Sequence, residues 1–227
     1  TFSARTCVFT EKPYDYIIMD EASQVSIDTG ALALTCATNA VIVGDTLQLP
    51  NVVTNEDRAK LDAIMKQYHI SKGYDCANNS FLQSVLSVVE NVPETLLREH
   101  YRCHPKIIGF CNQKFYNNQL VIMTQDNGES DVLKAYITVE GNHARGHFNQ
   151  RQIDEITNNI LPELNSSDVG IIAPYKDQTS ALAEEITGQI DISTVHKFQG
   201  REKDDIIIST VDNEITEFTD NPNMLNV

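Results

Sequence analysis

The chain has 227 residues and a formal net charge of −15, from 17 basic and 32 acidic side chains. A hydrophobic content of 41% is enough for a packed core and excludes wholesale disorder, and no apolar run approaches the roughly 20 residues of a membrane span. The acidity argues against a broad basic nucleic-acid-binding surface, and residues 1–10 lack the basic start and apolar block of a secretory signal, so a cytoplasmic, intracellular protein with no membrane partner is expected.

Short apolar, β-rich runs predict strands at Tyr16–Met19, Ala40–Val43, Ala135–Val139, Val169–Ala173, Ile190–Val195 and Ile206–Val211. Most are apolar throughout, the pattern of strands buried on both faces of a parallel sheet. Thr54–Asn79 is polar and reads as loops with a short helix. Ser80–Glu90 places Phe81, Leu82, Val85, Leu86 and Val89 on one helical face. A joint is expected near Asn91–Pro93, and Thr124–Asp131 reads as a long loop whose acids are solvated. Asn149 can cap a helix running to about Ile160, and Lys176–Thr187 is a further helix. Alternating strands and helices predict an α/β, doubly wound arrangement. Cysteines 7, 36, 76, 103 and 111 form no CxxC pair, so reduced thiols are expected. Cys103 and His104 could ligate a metal only with partners from elsewhere.

Five segments carry chemistry. In YIIMDEASQ (Tyr16 to Gln24) a strand delivers Asp20 and Glu21 to the carboxyl edge of the sheet. Asp20 suits the water shell of Mg²⁺, and Glu21 suits a general base for an attacking water. In VIVGDTLQLP (Val41 to Pro50), Gly44 admits close backbone approach and Gln48 can sense a phosphate oxygen or the water. Taken alone, an acidic turn and a tight turn explain these two segments equally simply. In LLREHYRCHP (Leu96 to Pro105), Arg102 is the candidate electrophile for a transferring phosphoryl group, against a solvated basic face. In VGIIAPYKDQ (Val169 to Gln178), Tyr175 and Lys176 stand where a strand turns into a helix and could meet a sugar-phosphate backbone. A plain strand-to-helix turn is the alternative. In DISTVHKFQGREKDDIII (Asp191 to Ile208), Gly200 admits a phosphate, Glu202 can accept from a ribose, and Thr194 and His196 can touch nucleic-acid phosphates.

In this order and spacing the five segments resemble the superfamily 1 helicases, in particular their Upf-like, 5′→3′ moving group. YIIMDEASQ is similar to that family's motif II, GDTLQLP to motif III, LREHYRCHP to motif IV, and TVHKFQGREKDDIII to motif V. VGIIAPY is similar to the segment opening the next strand of the second lobe. The resemblance covers nearly the whole chain. It implies an α/β fold of two RecA-like lobes with mostly parallel sheets, both incomplete: residues 1–92 from the first lobe and 93–227 from the second. It implies ATP and Mg²⁺ as cofactors and single-stranded DNA or RNA as partner. Asp20 and Glu21 become the Mg²⁺ and general-base carboxylates, and Gln48 and Arg102 the γ-phosphate sensors. Gly44, Asp45, Gly200 and Glu202 then line the nucleotide, and Tyr101 stacks near the adenine. Thr194, Tyr175 and Lys176 fall near the nucleic acid. His196 stands where the family often has Asp or Ser.

The G-x-x-x-x-G-K-[ST] phosphate loop of that family does not occur in these residues. Met224 to Val227 is similar to the start of the family's last arginine motif, and Thr1-Phe2-Ser3 to the strand preceding motif II. The expectation is therefore a piece of a longer helicase, inactive by itself because a phosphate loop supplies most of the β/γ-phosphate contacts. Other phosphate-loop ATPases rank lower, because GDxxQLP followed by YRxHP is not their pattern. The alternatives from other classes are a catalytically inactive RecA-like scaffold for a protein partner and a nucleic-acid binder without ATPase.

Overall fold

The computed structural model describes residues 13–130 and 132–226. Cys7, Thr1-Phe2-Ser3, Asp131 and Val227 lie outside the described residues. The rest gathers into two compact units, one running through Arg98 and the other from Glu99 onward. Both are mixed α/β with parallel strands, the RecA-like type of layering. No helix among the described residues is long and apolar enough to cross a membrane.

The first unit pairs β1 (Tyr14–Met19) with β2 (Ala37–Ile42) in parallel, Tyr14 opposite Ala37 through Met19 opposite Ile42. Helix α1 (Ile27–Leu34) forms the crossover between them. Met19, Ala22, Ala33, Phe81 and Leu82 make the core, the last two from α3 (Phe81–Val88). A full capping box starts α3. Ser80 Oγ accepts from Gln83 N at 3.3 Å, and Gln83 Oε1 accepts from Ser80 N at 2.9 Å. Ser80→Ala is expected to cost about 1 kcal/mol, seen as a lower urea midpoint at unchanged slope.

Two expectations fail in this unit. Burial on both faces does not hold for β1, where Tyr14, Tyr16 and Ile18 face solvent while Ile17 and Met19 turn to the core. Among the described residues, two strands with one helical layer cover one face only. The stretch 54–79 contains a helix of 14 residues, α2 (Asn55–Tyr68), rather than a short one. Thr54 caps it by accepting from Asp57 N at 3.1 Å, Glu56 and Asp57 complement its amino end, and Lys60 pairs with Glu56 one turn on.

In the second unit β3 (Glu99–His100) pairs in parallel with β4 (Val121–Ile122), joined by α4 (Pro105–Phe115). A three-stranded parallel sheet follows in the order β6-β5-β7: Asp191–Thr194, Val169–Ala173 and Asp205–Ile208. Asn149 caps α5 (Gln150–Glu155), which runs on through a wider turn at Ile156–Ile160 to Glu163. Helix α6 (Lys176–Glu185) starts just after β5. Ile153, Ile156 and Ile160 pack with Val169, Ile171, Leu182 and Ile207 as the core. Central β5 is buried on both faces, whereas edge strand β7 leaves Ile206 and Ile208 exposed. Strand β6 stops at Thr194, and Val195–Phe198 forms the helical turn α7 instead of extending the strand. The chain closes with α8 (Pro222–Leu225). The strand expected at Ala135–Val139 does not form. Most of its side chains are exposed, Ile137 at 93%, Tyr136 donates its hydroxyl to Glu163 Oε2 at 3.1 Å, and no described strand pairs with the run.

Candidate functional site

The first cluster stands at the carboxyl edge of β1 and β2. Asp20 and Glu21 follow β1 directly, both exposed, with Glu21 in the left-handed region at φ 52°, ψ 38°. That conformation costs a non-glycine residue about 1–2 kcal/mol and persists only where its surroundings impose it. Here they do: Val43 N donates to Met19 O at 2.7 Å, Ala22 N to Val43 O at 2.9 Å, and Asn51 N to Ser23 O at 3.0 Å. Residues 19–23 and 43–51 are thus stitched together through their backbones. Gly44 completes the join, since a Cβ there would sit 3.0 Å from both Ala22 N and Ser23 N. The close approach that needs this glycine is made by the neighbouring backbone. Asp45 shapes the following turn, its Oδ1 accepting from Leu47 N at 2.8 Å and its Oδ2 from Gln48 Nε2 at 3.3 Å. Glu21 Oε2 accepts from Gln24 Nε2 at 3.1 Å, and Asp20 Oδ1 from Glu21 N at 2.9 Å. The donor set suits a hard cation. Asp20 is a solvent-facing carboxylate whose two oxygens offer about four acceptor sites, one of them used by Glu21 N–H.

The second cluster is the Tyr101–His104 segment of the second unit. Arg102 Nε is ion-paired with Glu202 Oε1, so two side chains expected to touch a nucleotide meet each other. Both are more than half exposed, which limits the pair to a small stabilisation. Tyr101 is 65% exposed and donates its hydroxyl to Glu99, a bond that raises its pKa. Cys103 is held at both backbone groups: its N–H donates to His100 Nε2 at 2.8 Å, and its C=O accepts from Thr124 Oγ1 at 2.7 Å.

His104 caps α4, Nδ1 accepting from Lys106 N at 3.1 Å. Its Nε2 faces Asp126 and Glu129 at 3.6 and 3.5 Å, and Lys106 Nζ reaches Asp126 at 3.3 Å. These acids are therefore not simply solvated, as their loop position suggested. They dock the loop onto the start of α4. The N–H of Gly128 holds the Asp126 carboxyl below its usual range. The ligand atoms of His104, Asp126 and Glu129 lie within 4.8 Å of one another, a spacing that could hold a cation. The cap argues otherwise. With Nδ1 accepting, a ring proton sits on Nε2, which faces the two carboxylates without a hydrogen bond and offers no lone pair to a metal. The four described cysteines are free thiols.

The β6–β7 connection matches its expected form in part. Gly200 adopts φ +78° with open space where a Cβ would stand, so a ligand could approach its backbone. Thr194 is buried at the start of α7, and its hydroxyl makes no cap bond. His196 is exposed as a residue, and the desolvation its ring does experience lowers its pKa, leaving it uncharged at neutral pH. Lys176 opens α6. Tyr175 is held on its ring and its hydroxyl by neighbours in the same unit. His147 stacks on its ring at 4.2 Å, Phe218 stacks at 5.4 Å, and its hydroxyl donates to Asp212 Oδ2 at 2.7 Å.

Sequence reasoning missed a buried polar network at the carboxyl edge of β5 and β7. Gln178, fully buried, accepts from Asn149 N at 2.8 Å and donates to Ser209 Oγ at 3.0 Å. Gln152 Oε1 accepts from Ser209 Oγ at 2.7 Å and from Val211 N at 2.9 Å. Asn149 Nδ2 donates to Val211 O at 2.8 Å. Val211 is wholly buried with φ 67°, a strained state for a β-branched residue that these bonds impose. The only advance signal was three amide side chains within and beside otherwise apolar helical patterns.

Comparison with known proteins agrees with the segment pattern. Residues 140–227 match a family described as AAA domain. The chain is 26% identical over 247 residues to "DNA replication ATP-dependent helicase/nuclease dna2" of Schizosaccharomyces pombe, covering 90% of the chain and 16% of that protein. It is 27% identical over 233 residues to "Helicase sen1" of the same organism, covering 87% of the chain and 13% of that protein. It is 25% identical over 242 residues to "5'-3' DNA helicase ZGRF1" of Mus musculus, covering 94% and 12%. The chain thus spans 16%, 13% and 12% of the lengths of these relatives.

Proposed function

We propose that this chain, which groups with the superfamily 1, Upf-like helicases, is the part of an ATP-dependent DNA or RNA helicase that couples ATP hydrolysis to movement along a single strand and to duplex unwinding. The observation that carries the reading is the stitched edge of the first unit. There the backbone bonds between residues 19–23 and 43–51 bring two exposed carboxylates and the Gln48 turn to one end of a parallel pair of strands. Asp20 would hold Mg²⁺ through water, and that ion would supply charge neutralisation on the phosphates. Glu21 takes a proton from the attacking water, and Gln48, steadied by Asp45, orients that water. Arg102 leaves Glu202 to meet negative charge on the transferring group. Glu202, once released, accepts from a ribose hydroxyl. Gly44 supports this chemistry through backbone packing, and Gly200 by opening its N–H to phosphate. Tyr101, exposed beside Arg102, is left to stack on the base. Lys176, Thr194 and His196 contact the nucleic-acid backbone. Tyr175 serves there as the fixed centre of a ring stack.

The test is turnover by the protein that carries this chain. ATP hydrolysis is expected to rise on adding single-stranded DNA or RNA, and Arg102→Ala is expected to lower kcat far more than ATP affinity. Equal loss of both would make Arg102 a binding or folding residue. A protein that neither hydrolyses ATP nor separates strands would favour an inactive RecA-like scaffold.

A further inference from the structure

We propose that His100 is a positioning residue for Arg102: its imidazole Nε2 accepts the Cys103 N–H and so closes the turn that carries Tyr101 and Arg102. This rests on the reading of Arg102 as the group that meets the transferring phosphoryl. The geometry is specific. His100 belongs to β3, where its C=O accepts from Met123 N at 2.9 Å, so its backbone is tied to β4. Its ring reaches three residues forward to the Cys103 N–H at 2.8 Å. Cys103 O is fixed in turn by Thr124 Oγ1 at 2.7 Å, and the next residue, His104, caps α4. Arg102 therefore stands between two anchored points. Remove the imidazole acceptor and the tie from β3 to Cys103 is gone.

An accepting Nε2 means the neutral ring carries its proton on Nδ1. An imidazolium has no lone pair, so protonation breaks the bond and sets a positive charge beside Arg102. The charged and titratable groups facing this ring are Arg102, itself paired with Glu202, and the thiol of Cys103, which burial keeps protonated. The Cys111 thiol beside Cys103 is likewise raised by burial, and Asp126 and Glu129 are engaged by His104 and Lys106. Burial first, then Arg102, lowers the His100 pKa below its ordinary value of 6.5. The sign follows. A depressed folded pKa means the turn is intact above the unfolded value and is lost as pH falls through the folded one. Above that lowered value His100 accepts; below it, it does not.

The experiment has two arms. In the isotopically labelled 227-residue chain, the Cys103 amide is expected to lose exchange protection and shift upfield as pH falls through the His100 pKa, which lies below the ordinary imidazole value. His100→Gln, whose carboxamide oxygen can accept, should keep the protection and abolish its pH dependence. His100→Ala should lose it at every pH. A Cys103 amide indifferent to pH and to His100→Ala overturns the proposal. In the protein that carries this chain, His100→Ala should lower kcat about tenfold or more with little change in KM for ATP. His100→Gln should restore kcat and flatten the acid limb of its pH profile. If Arg102→Ala damages turnover while His100→Ala is silent, the positioning role alone is wrong. If Arg102→Ala is itself silent, the phosphoryl-transfer reading of this segment falls first.

Discussion

Glu21→Gln in the protein that carries this chain is expected to lower nucleic-acid-stimulated ATP turnover by a factor of about 10²–10⁴, the usual contribution of a positioned general base, while ATP stays bound and unwinding stops. The substitution removes a proton acceptor and little else. A glutamine oxygen can still accept from Gln24 Nε2, as Glu21 Oε2 does at 3.1 Å, and the left-handed backbone is equally open to both residues. The fold of the first unit should therefore be unchanged by circular dichroism and urea denaturation. Turnover within threefold of the unsubstituted protein would remove Glu21 from the chemistry and leave its strained φ without a catalytic purpose.

Gln178→Leu is expected to produce a loss of similar consequence, in stability. The side chain is fully buried, and its carboxamide joins Asn149 on α5 to Ser209 after β7. Leucine fits the volume but leaves the Asn149 N–H without an acceptor and Ser209 Oγ without a donor. A buried unsatisfied donor costs about 1–3 kcal/mol, and members of one network fail together, so about 3 kcal/mol is expected for the second unit. Urea denaturation of the chain reads it as an earlier transition of that unit. A loss below about 1 kcal/mol would mean that water replaces the carboxamide.

How legible these features were in the sequence depends on the range over which each is determined. Ser80 with Gln83, and Asn149 with the Ile153, Ile156 and Ile160 stripe, are local signals, and both helices start where those signals stand. Strand β5 was legible because a fully buried strand is apolar at every position. Helix α2 was hidden because none of its residues is fully buried: its short apolar run, Leu61, Ile64, Met65 and Tyr68, is outweighed by charged and polar neighbours, and the helix rests on a cap, first-turn acids and charge pairs. The run Ala135–Val139 misled for the opposite reason. Its residues favour strands, but a strand needs a neighbour, and none is paired with it. The placement of Asp20 and Glu21 directly after β1, and of Gln48 in the turn after β2, was legible because apolar runs mark those strand ends. The Arg102–Glu202 pair, the Gln178 network and the ring contacts of Tyr175 were not, because their partners lie tens of residues away.

The Arg102–Glu202 pair changes what anion binding at that arginine means. An arginine alone in solvent gains the whole Coulomb attraction of an arriving phosphate, and that gain shrinks steeply with added salt. On the proposed reading, an anion arriving at Arg102 would replace Glu202, trading one anionic partner for another. Salt weakens the bond that is broken as well as the bond that is made, so much of the ionic-strength dependence cancels. What distinguishes the two partners is geometry and the number of hydrogen bonds each offers the guanidinium. Attraction at a distance gives way to an exchange at contact, selective for an anion that also gives the released Glu202 carboxylate something to accept from.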